Sequence, residues 1–374
     1  MRVVRALAVG AALLALSSCG AGDGDEIYIG LAAPVSIPFG EALVNGAMLA
    51  IDEINADRGI NGRQLVLDIK DDEMERERAI EVAAEFRDEG KVSAVIGHVT
   101  SGATIAAADI YNHPERGVLE ISPTATSPEL SGKGEWTFRV CPTDLHQGEA
   151  LAEWAYERLG FERAAVIYAN DEYGRGVRDA FVPAFEAMGG TVVAQDPFLL
   201  SLLESPTTFD PYIERAQRAG MQALVLVGVG DEVVEILRAA RRLGFTGPVM
   251  GADGLTDLLS EGEIAEGIYM TAAFLPDRPT ERAQDFVRRY TARFGEPPSD
   301  RAALTYDAVM LIARGLREVG PDRRALRDYI ASVGTSVPEF EGVTGTISFD
   351  QNGDVVGKEM TVGVIRGGEI VMAQ

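Results

Sequence analysis

The chain has 374 residues, which is enough for about two domains of ordinary size. Its 46% hydrophobic and 25% charged content is typical of a globular protein and excludes a collagen-like or disordered chain. The formal charge of −24 excludes nucleic acid as a partner, because binding to phosphate requires a basic surface. The acidic residues are spread along the whole chain, so they favour solubility rather than mark an acidic tail.

The first 25 residues have the features of an export signal followed by a tether. Arg2 and Arg5 precede an apolar run of eleven residues, which is too short for a transmembrane helix and predicts a signal peptide over residues 1–18. The string Leu-Ser-Ser-Cys ending at Cys19 resembles the lipobox of bacterial lipoproteins, in which the cysteine becomes the lipidated first residue. Residues 19–25 then form a tether. The alternative is a secretory peptide with an incidental cysteine. Export lowers the charge to −26, because 32 bases remain against 58 acids.

The first half of the chain alternates strands and helices. Alternating apolar runs and helical spacing predict strands at 26–35, 64–69 and 92–97, helices at 39–55 and 75–88, and a turn at Asn61-Gly62. Such alternation is typical of a parallel sheet covered by helices on both faces.

Two strand-to-helix corners carry small hydroxyl residues. The first corner spans 95–111 and offers Ser101 and Thr104, and the second spans 118–130 and offers Ser122 and Thr124, Ala125, Thr126 and Ser127. Helix amino ends leave unpaired amide groups that attract anions. If the two corners face each other, they could hold a small carboxylate. The alternative is that both are ordinary helix caps.

A second run of alternating helices and strands begins at His146. It predicts helices at 146–159, 173–188, 210–219 and 231–243 and strands at 164–169, 191–194, 223–228 and 248–251. Two further helices at 282–294 and 302–319 follow, and a hairpin turning at Asn352-Gly353 closes the chain. Asp350, Asn352 and Asp354 have the spacing of a calcium loop, but its twelfth position is Thr361, so we interpret the segment as a turn. The predicted fold class is α/β, with two doubly wound parallel-sheet lobes.

Few residues offer catalytic or metal-binding chemistry. The three histidines, His98, His113 and His146, lack metal-ligand spacing and are interpreted as structural, so neither a metal nor a cofactor is expected. If Cys19 is lipidated, Cys141 has no disulfide partner; it is interpreted as a buried structural cysteine rather than a thiol activated by His146.

Two glycine-rich strand ends remain. Gly228 and Gly230 form part of a dinucleotide-binding fingerprint, but Val233 replaces the third glycine and acidic residues follow. Asp253 lies in the Gly-rich turn after strand 248–251, at the carboxyl end of the sheet, where its carboxylate could accept hydrogen bonds from an ammonium group. The alternative for Asp253 is a turn or cap aspartate.

Many ordered motifs between 26 and 374 resemble one family. The sequence is similar to the branched-chain amino-acid-binding proteins, the leucine/isoleucine/valine branch of the type I periplasmic binding proteins of ABC importers. The resemblance rests on the segments at 45–67, 92–104, 121–130, 138–152, 170–176, 238–254 and 304–313 and on the turn FDQNGDVVG.

The resemblance implies two lobes joined by three crossings, near 141–144, 272–276 and 340–344, that close over a ligand. It assigns residues 26–143 and 275–341 to the first lobe and 144–274 and 342–374 to the second. Ser101, Thr124, Ala125 and Thr126 would lie at the ligand carboxylate, Asp253 at its ammonium group and Tyr173 along the cleft, with Phe39 and Phe274 near the pocket. Gly230 replaces an aromatic residue of many relatives, which implies room for a larger ligand.

The expected function is therefore capture of an amino acid or related small carboxylate or amide, without covalent chemistry, by a membrane-anchored lipoprotein facing the periplasm or cell exterior. Its partners would be an ABC permease and ATPase. A sensor lipoprotein of the same fold is the first alternative, and permease and ATPase genes beside this one would favour the importer. An enzyme is the second alternative, which turnover of a small amide or retained nucleotide would favour.

Overall fold

The computed structural model describes residues 26–199 and 208–374. The predicted signal peptide, Cys19, the tether and most of the apolar loop after Phe198 lie outside these residues. Within the two ranges described, no helix combines the length and apolar character needed to span a bilayer.

The first lobe contains a five-stranded sheet in which every pairing is parallel. Its strands are β1 (Glu26–Ala33), β2 (Gln64–Asp71), β3 (Val92–Ile96), β4 (Leu119–Ser122) and β5 (Thr137–Arg139), in the order β2-β1-β3-β4-β5. Its helices are α1 (Pro38–Ala56), α2 (Arg76–Glu89), α3 (Ser101–Tyr111), α8 (Glu281–Phe294), α9 (Asp300–Val319) and α10 (Arg323–Ala331).

Burial follows the spacing seen in the sequence. All five residues of β3 are buried, as expected for a central parallel strand. Leu43, Ala47 and Ile54 form the buried face of α1, so the predicted helix is confirmed. Gly46 on the same helix lets α9 approach closely, because a Cβ there would lie 2.2 Å from the carbonyl oxygen of Ala302.

The second lobe contains a seven-stranded mixed sheet. Its strands are β6 (Arg163–Ala169), β7 (Thr191–Phe198), β8 (Ala223–Val227), β9 (Val249–Gly251), β10 (Tyr269–Ala272), β13 (Thr361–Arg366) and β14 (Glu369–Met372), in the order β14-β13-β10-β9-β8-β6-β7. Its helices are α4 (Asp144–Glu153), α5 (Glu172–Ala187), α6 (Asp210–Arg218) and α7 (Asp231–Arg242). The predicted α/β fold class is confirmed, and the parallel pairing ends at one edge of this sheet, where β13 pairs antiparallel with both β10 and β14.

The segment after α10 differs from the predicted closing hairpin. Strands β11 (Phe340–Gly342) and β12 (Gly345–Ile347) pair with each other, and the turn that follows has a single bridge between Phe349 and Val355. Phe349 packs edge-on against Phe138 of the first lobe at 5.1 Å, and Val355 joins the same core. Apolar packing therefore keeps this segment against the core of the first lobe.

A buried lysine ties the crossing segments together. Lys358 Nζ donates hydrogen bonds to the carbonyl oxygen of Val140 at 2.8 Å and to Thr344 Oγ1 at 2.6 Å. The backbone amides of Val343 and Thr344 donate to the buried carboxylate of Asp307 on α9. Burial lowers the pKa of Lys358 to about 8 despite the nearby Asp307 charge.

Candidate functional site

The first hydroxyl corner follows β3 at the carboxyl end of the sheet. Thr100, not Ser101, caps helix α3, because its side chain accepts a hydrogen bond from the amide of Ala103. Ser101 is buried, and its Oγ accepts a hydrogen bond from the amide of Ser127 at 3.2 Å. The two corners therefore meet, as the sequence analysis required for a shared site.

The second corner is held by hydrogen bonds to the first. Thr124 Oγ1 donates to the carbonyl oxygen of Val99 at 2.8 Å. The amide of Ala125 donates to Ser122 Oγ at 3.0 Å, and Ser122 Oγ donates to the carbonyl oxygen of His98 at 2.7 Å. Thr126 differs from these residues, because its buried hydroxyl makes no hydrogen bond of normal geometry among the described residues and instead lies beside the Asp144 carboxyl group.

The second lobe brings Tyr173 and Asp253 together. Tyr173 lies in the first turn of α5, and Asp253 opens a 3₁₀ segment directly after β9. The Tyr173 hydroxyl donates to Asp253 Oδ1 at 2.8 Å and accepts from the amide of Gly254 at 2.9 Å. Both side chains keep an intermediate exposure. Their contact joins two residues that are 80 positions apart in the chain.

A second carboxyl group, Asp144, lies beside this pair and was not singled out from the sequence. Gln147 bridges the two acids: its Nε2 donates to Asp144 Oδ1 at 3.2 Å, and its Oε1 accepts from the amide of Asp253 at 3.1 Å. Thr271 Oγ1 donates to the same Oε1 at 2.6 Å. Asp144 Oδ2 is buried and makes no hydrogen bond of normal geometry within residues 26–199 and 208–374. Both Asp144 and Gln147 lie in the motif at 138–152, which carries the only sequence signal for them.

Burial dominates the electrostatics of these acids. It raises the pKa of Asp144 well above its usual range; the negative charge of Asp253 raises it further, and the Thr126 hydroxyl opposes the rise. Burial also raises the pKa of Asp253, against the hydrogen bond from Tyr173 and the positive charge of Arg301. A cation entering beside these carboxyl groups would therefore gain strongly from their charge.

The first lobe supplies an aromatic residue and a further charged pair opposite Asp253. The guanidinium of Arg301 lies 3.7 Å from the ring centroid of Phe39. Burial raises the pKa of the neighbouring Asp300 to about 6, although Arg301 lowers it. Phe274 lies elsewhere, in the first-lobe core, where it is 1% exposed and packs against Phe286. The side chain of Phe274 is therefore covered by the core, and its role near the pocket stays a prediction.

The lobes touch directly around these residues. Arg76 on α2 forms a 2.6 Å ion pair with Glu172 at the start of α5. Gly176 on α5 faces the second corner of the first lobe so closely that a Cβ would lie 3.1 Å from Pro128 Cδ. The two lobes are therefore in direct contact beside the residues that the sequence predicts to line the cleft.

The other candidates have structural partners. Cys141 is buried, its Sγ donates to the carbonyl oxygen of Ala125 at 3.5 Å, and burial raises its pKa to about 12, so a thiolate is disfavoured. His146 bonds Thr143 instead of the cysteine. His98 bonds the buried Asp72 at 2.7 Å. The prediction of a buried structural cysteine is confirmed.

A surface cavity of about 660 Å³ lies far from the corners, around Tyr28, Lys91 and Arg323. The Arg323 guanidinium is occupied by three backbone carbonyl oxygens, those of Phe86, Arg87 and Val92. Lys91 lies over the Tyr28 ring at 4.0 Å. Both of these cations therefore already have partners. The cavity lacks the hydroxyl corners and the carboxyl groups that line the cleft.

The two α/β lobes meet at the carboxyl ends of their parallel strands, and polar groups from both lobes converge there. This arrangement defines a two-lobed binding protein of type I topology. The chain belongs to the periplasmic binding protein family, whose model matches residues 26–369. The resemblance found in the sequence is thereby confirmed.

Named relatives bind amino acids. The leucine-, isoleucine-, valine-, threonine- and alanine-binding protein of Pseudomonas aeruginosa is 31% identical over 90% of this chain and 89% of its own. The substrate-binding protein of a branched-chain amino acid transporter from Streptococcus pneumoniae, solved with isoleucine, is 30% identical, with a TM-score of 0.82 over 93% of this chain and 100% of its own. An ABC transporter substrate-binding protein from Desulfitobacterium hafniense, solved with Leu, is 31% identical, with a TM-score of 0.79 and the same coverage.

Proposed function

We propose that this protein is an extracytoplasmic solute-binding lipoprotein of an ABC importer that captures an amino acid or related small carboxylate between its lobes. The hydroxyl corners would hold the ligand carboxylate through Ser101, Thr124, Ala125 and Thr126. Asp253, supported by Tyr173, would hold the ammonium group, and Phe39 would line the side-chain pocket. The observation that carries the proposal is the hydrogen-bonded Tyr173–Asp253 pair, which lies close to the Asp144 carboxyl group that the Thr126 hydroxyl of the second corner faces.

Charge and burial support a zwitterion. Asp253 and Asp144 are acids whose pKa burial raises, so each gains from a cation, and an ammonium group supplies both charge and hydrogen-bond donors. The name of the Pseudomonas aeruginosa relative gives its ligands as leucine, isoleucine, valine, threonine and alanine. All five carry both an ammonium group and a carboxylate. The absence of a side chain at Gly230 supports a ligand at least as large as these.

We further propose lobe boundaries at 26–143 plus 275–360 and at 144–274 plus 361–374. The third boundary moves from 341 to 360 because the segment containing Phe349 packs in the first-lobe core. Closure about the three crossings would bury the ligand, and anchoring through Cys19 would keep the closed protein near a membrane permease and its ATPase.

A thermal-shift screen with the twenty common amino acids and small carboxylates tests this proposal. A ligand that binds only the folded state at 100 times its Kd adds about 2.7 kcal/mol to the free energy of unfolding. We expect at least one of these amino acids or small carboxylates to raise Tm, and calorimetry then gives its Kd. If none of them raises Tm, the proposed ligand class is wrong.

A further inference from the structure

Arg139 is a buried arginine at the end of the edge strand β5, and it is only 1% exposed. Its Nη1 donates hydrogen bonds to the carbonyl oxygens of Ala125 at 3.2 Å and Ser127 at 2.7 Å. Its Nη2 donates to Ser131 Oγ at 2.5 Å. One side chain therefore holds both flanks of the second hydroxyl corner.

The charge of Arg139 is balanced from a distant part of the chain. Arg139 Nε donates to Asp354 Oδ1 at 2.7 Å, across 215 residues of sequence. The turn that carries Asp354 is itself docked on β5, because the amide of Arg139 donates to the carbonyl oxygen of Gly353 at 3.0 Å and that of Gly132 to Asn352 at 3.0 Å. This turn lies shortly before the third crossing.

We propose that Arg139, charge-paired with Asp354, is the positioning residue of the ligand-carboxylate corner. The proposal rests on the function proposed above. In a trans peptide the carbonyl and the following amide point in opposite directions, so a guanidinium that holds the Ala125 carbonyl turns the Thr126 amide away from Arg139. Fixing the Ser127 carbonyl as well sets the orientation of the whole 125–127 backbone, and with it the direction of the Thr126 hydroxyl.

Only an arginine satisfies this geometry. The planar guanidinium offers five donors in a rigid fork, and here they serve one carboxylate, two carbonyls and one hydroxyl. A lysine keeps the charge but has three donors at a single point, so it can keep Asp354 and lose a carbonyl, or the reverse. Arg139→Lys therefore removes the positioning while retaining the balance of charge.

Arg323 supplies a matched control, since its guanidinium also holds backbone carbonyls of the first lobe, but far from the corner.

Two measurements test the proposal. The first is hydrogen exchange of the ligand-free protein over residues 122–131, and the second is calorimetry with leucine and with leucinamide, which lacks the carboxylate. Asp354→Asn serves as a second variant, because it loosens the guanidinium from outside the corner and does not depend on Arg139→Lys being folded.

We expect Arg139→Lys and Asp354→Asn to speed corner exchange about tenfold and to weaken leucine binding about tenfold, with less than about a threefold effect on leucinamide. Arg323→Lys should change neither. Unchanged corner exchange in both variants, or an equal effect of Arg323→Lys, would overturn the inference. If the wild-type protein binds no amino acid, the proposed function fails, while faster corner exchange would still support the role of Arg139 in holding the corner.

Discussion

The Asp253 carboxylate offers the sharpest test of how the cleft would recognise its ligand. Asp253→Asn removes one negative charge and preserves the shape of the side chain. Its amide oxygen can still accept the hydrogen bond that Tyr173 now donates at 2.8 Å, and the Gly254 amide keeps its bond to the same hydroxyl. Any loss of affinity would therefore report the charge rather than a rearrangement of the site.

The expected loss follows from the burial of the group. Hydrogen bonds to charged groups contribute about 1.5–3 kcal/mol, and each 1.4 kcal/mol is a tenfold change in Kd. Burial raises the pKa of Asp253 although its side chain keeps an intermediate exposure, so we place the loss within this range, at about 2 kcal/mol or more. Calorimetry at pH 7 with the amino acid found in the screen should give a Kd weakened roughly 30-fold or more.

Two comparisons make this prediction refutable. Asp231→Asn removes an exposed carboxylate at the start of α7 and should leave the Kd unchanged. Because an ammonium ligand favours the ionised form of Asp253, binding lowers its raised pKa, releases protons and weakens as the pH falls through that pKa. Calorimetry in buffers of different ionisation enthalpy should detect this release in the wild type and not in the variant. An unchanged Kd for Asp253→Asn would remove the residue from the site.

Three further outcomes are expected. Cys19→Ser should release the protein from membranes, and a variant that still sediments with them would contradict lipid anchoring. The pKa of Asp300 rises from 3.8 to about 6 on folding, so it adds about 3 kcal/mol of stability below pH 4 that is lost as the pH rises through 6; urea titrations of Asp300→Asn should show a flatter pH dependence in this window. Arg76→Ala should weaken ligand affinity less than about fivefold, because its pair with Glu172 is partly exposed, and a larger effect would mean that this contact governs closure.

The alternation of elements was predictable because it depends on local spacing. Leu43, Ala47 and Ile54 recur on one helical face, and β3 is apolar throughout, so short windows of sequence suffice. The meeting of the two corners was also within reach, because Ser101 and Ser127 follow neighbouring parallel strands whose carboxyl ends share an edge.

Other features depend on contacts between distant residues. Gln147 reaches the amide of Asp253 across 106 residues, and Arg139 reaches Asp354 across 215. Neither side chain lies in a pattern that distinguishes it from a solvated polar residue. The closing hairpin was mispredicted for a related reason: Asn352-Gly353 is a strong hairpin signal, but the strands on either side pair in different sheets.

The buried acids also bear on why closure and binding would be coupled. Asp144 lies at the first crossing and Asp253 on the second lobe, and the charge of Asp253 raises the pKa values of both Asp144 and Asp300. On the proposed closure, Asp300 of the first lobe comes close to Asp253 and Asp144 of the second, which costs free energy unless these carboxyl groups take up protons. On the proposed binding mode, an ammonium group supplies the missing positive charge at this point. A carboxylate without an ammonium group would satisfy the hydroxyl corners and leave Asp253 without a cation, so these acids would favour a zwitterion over a simple organic acid.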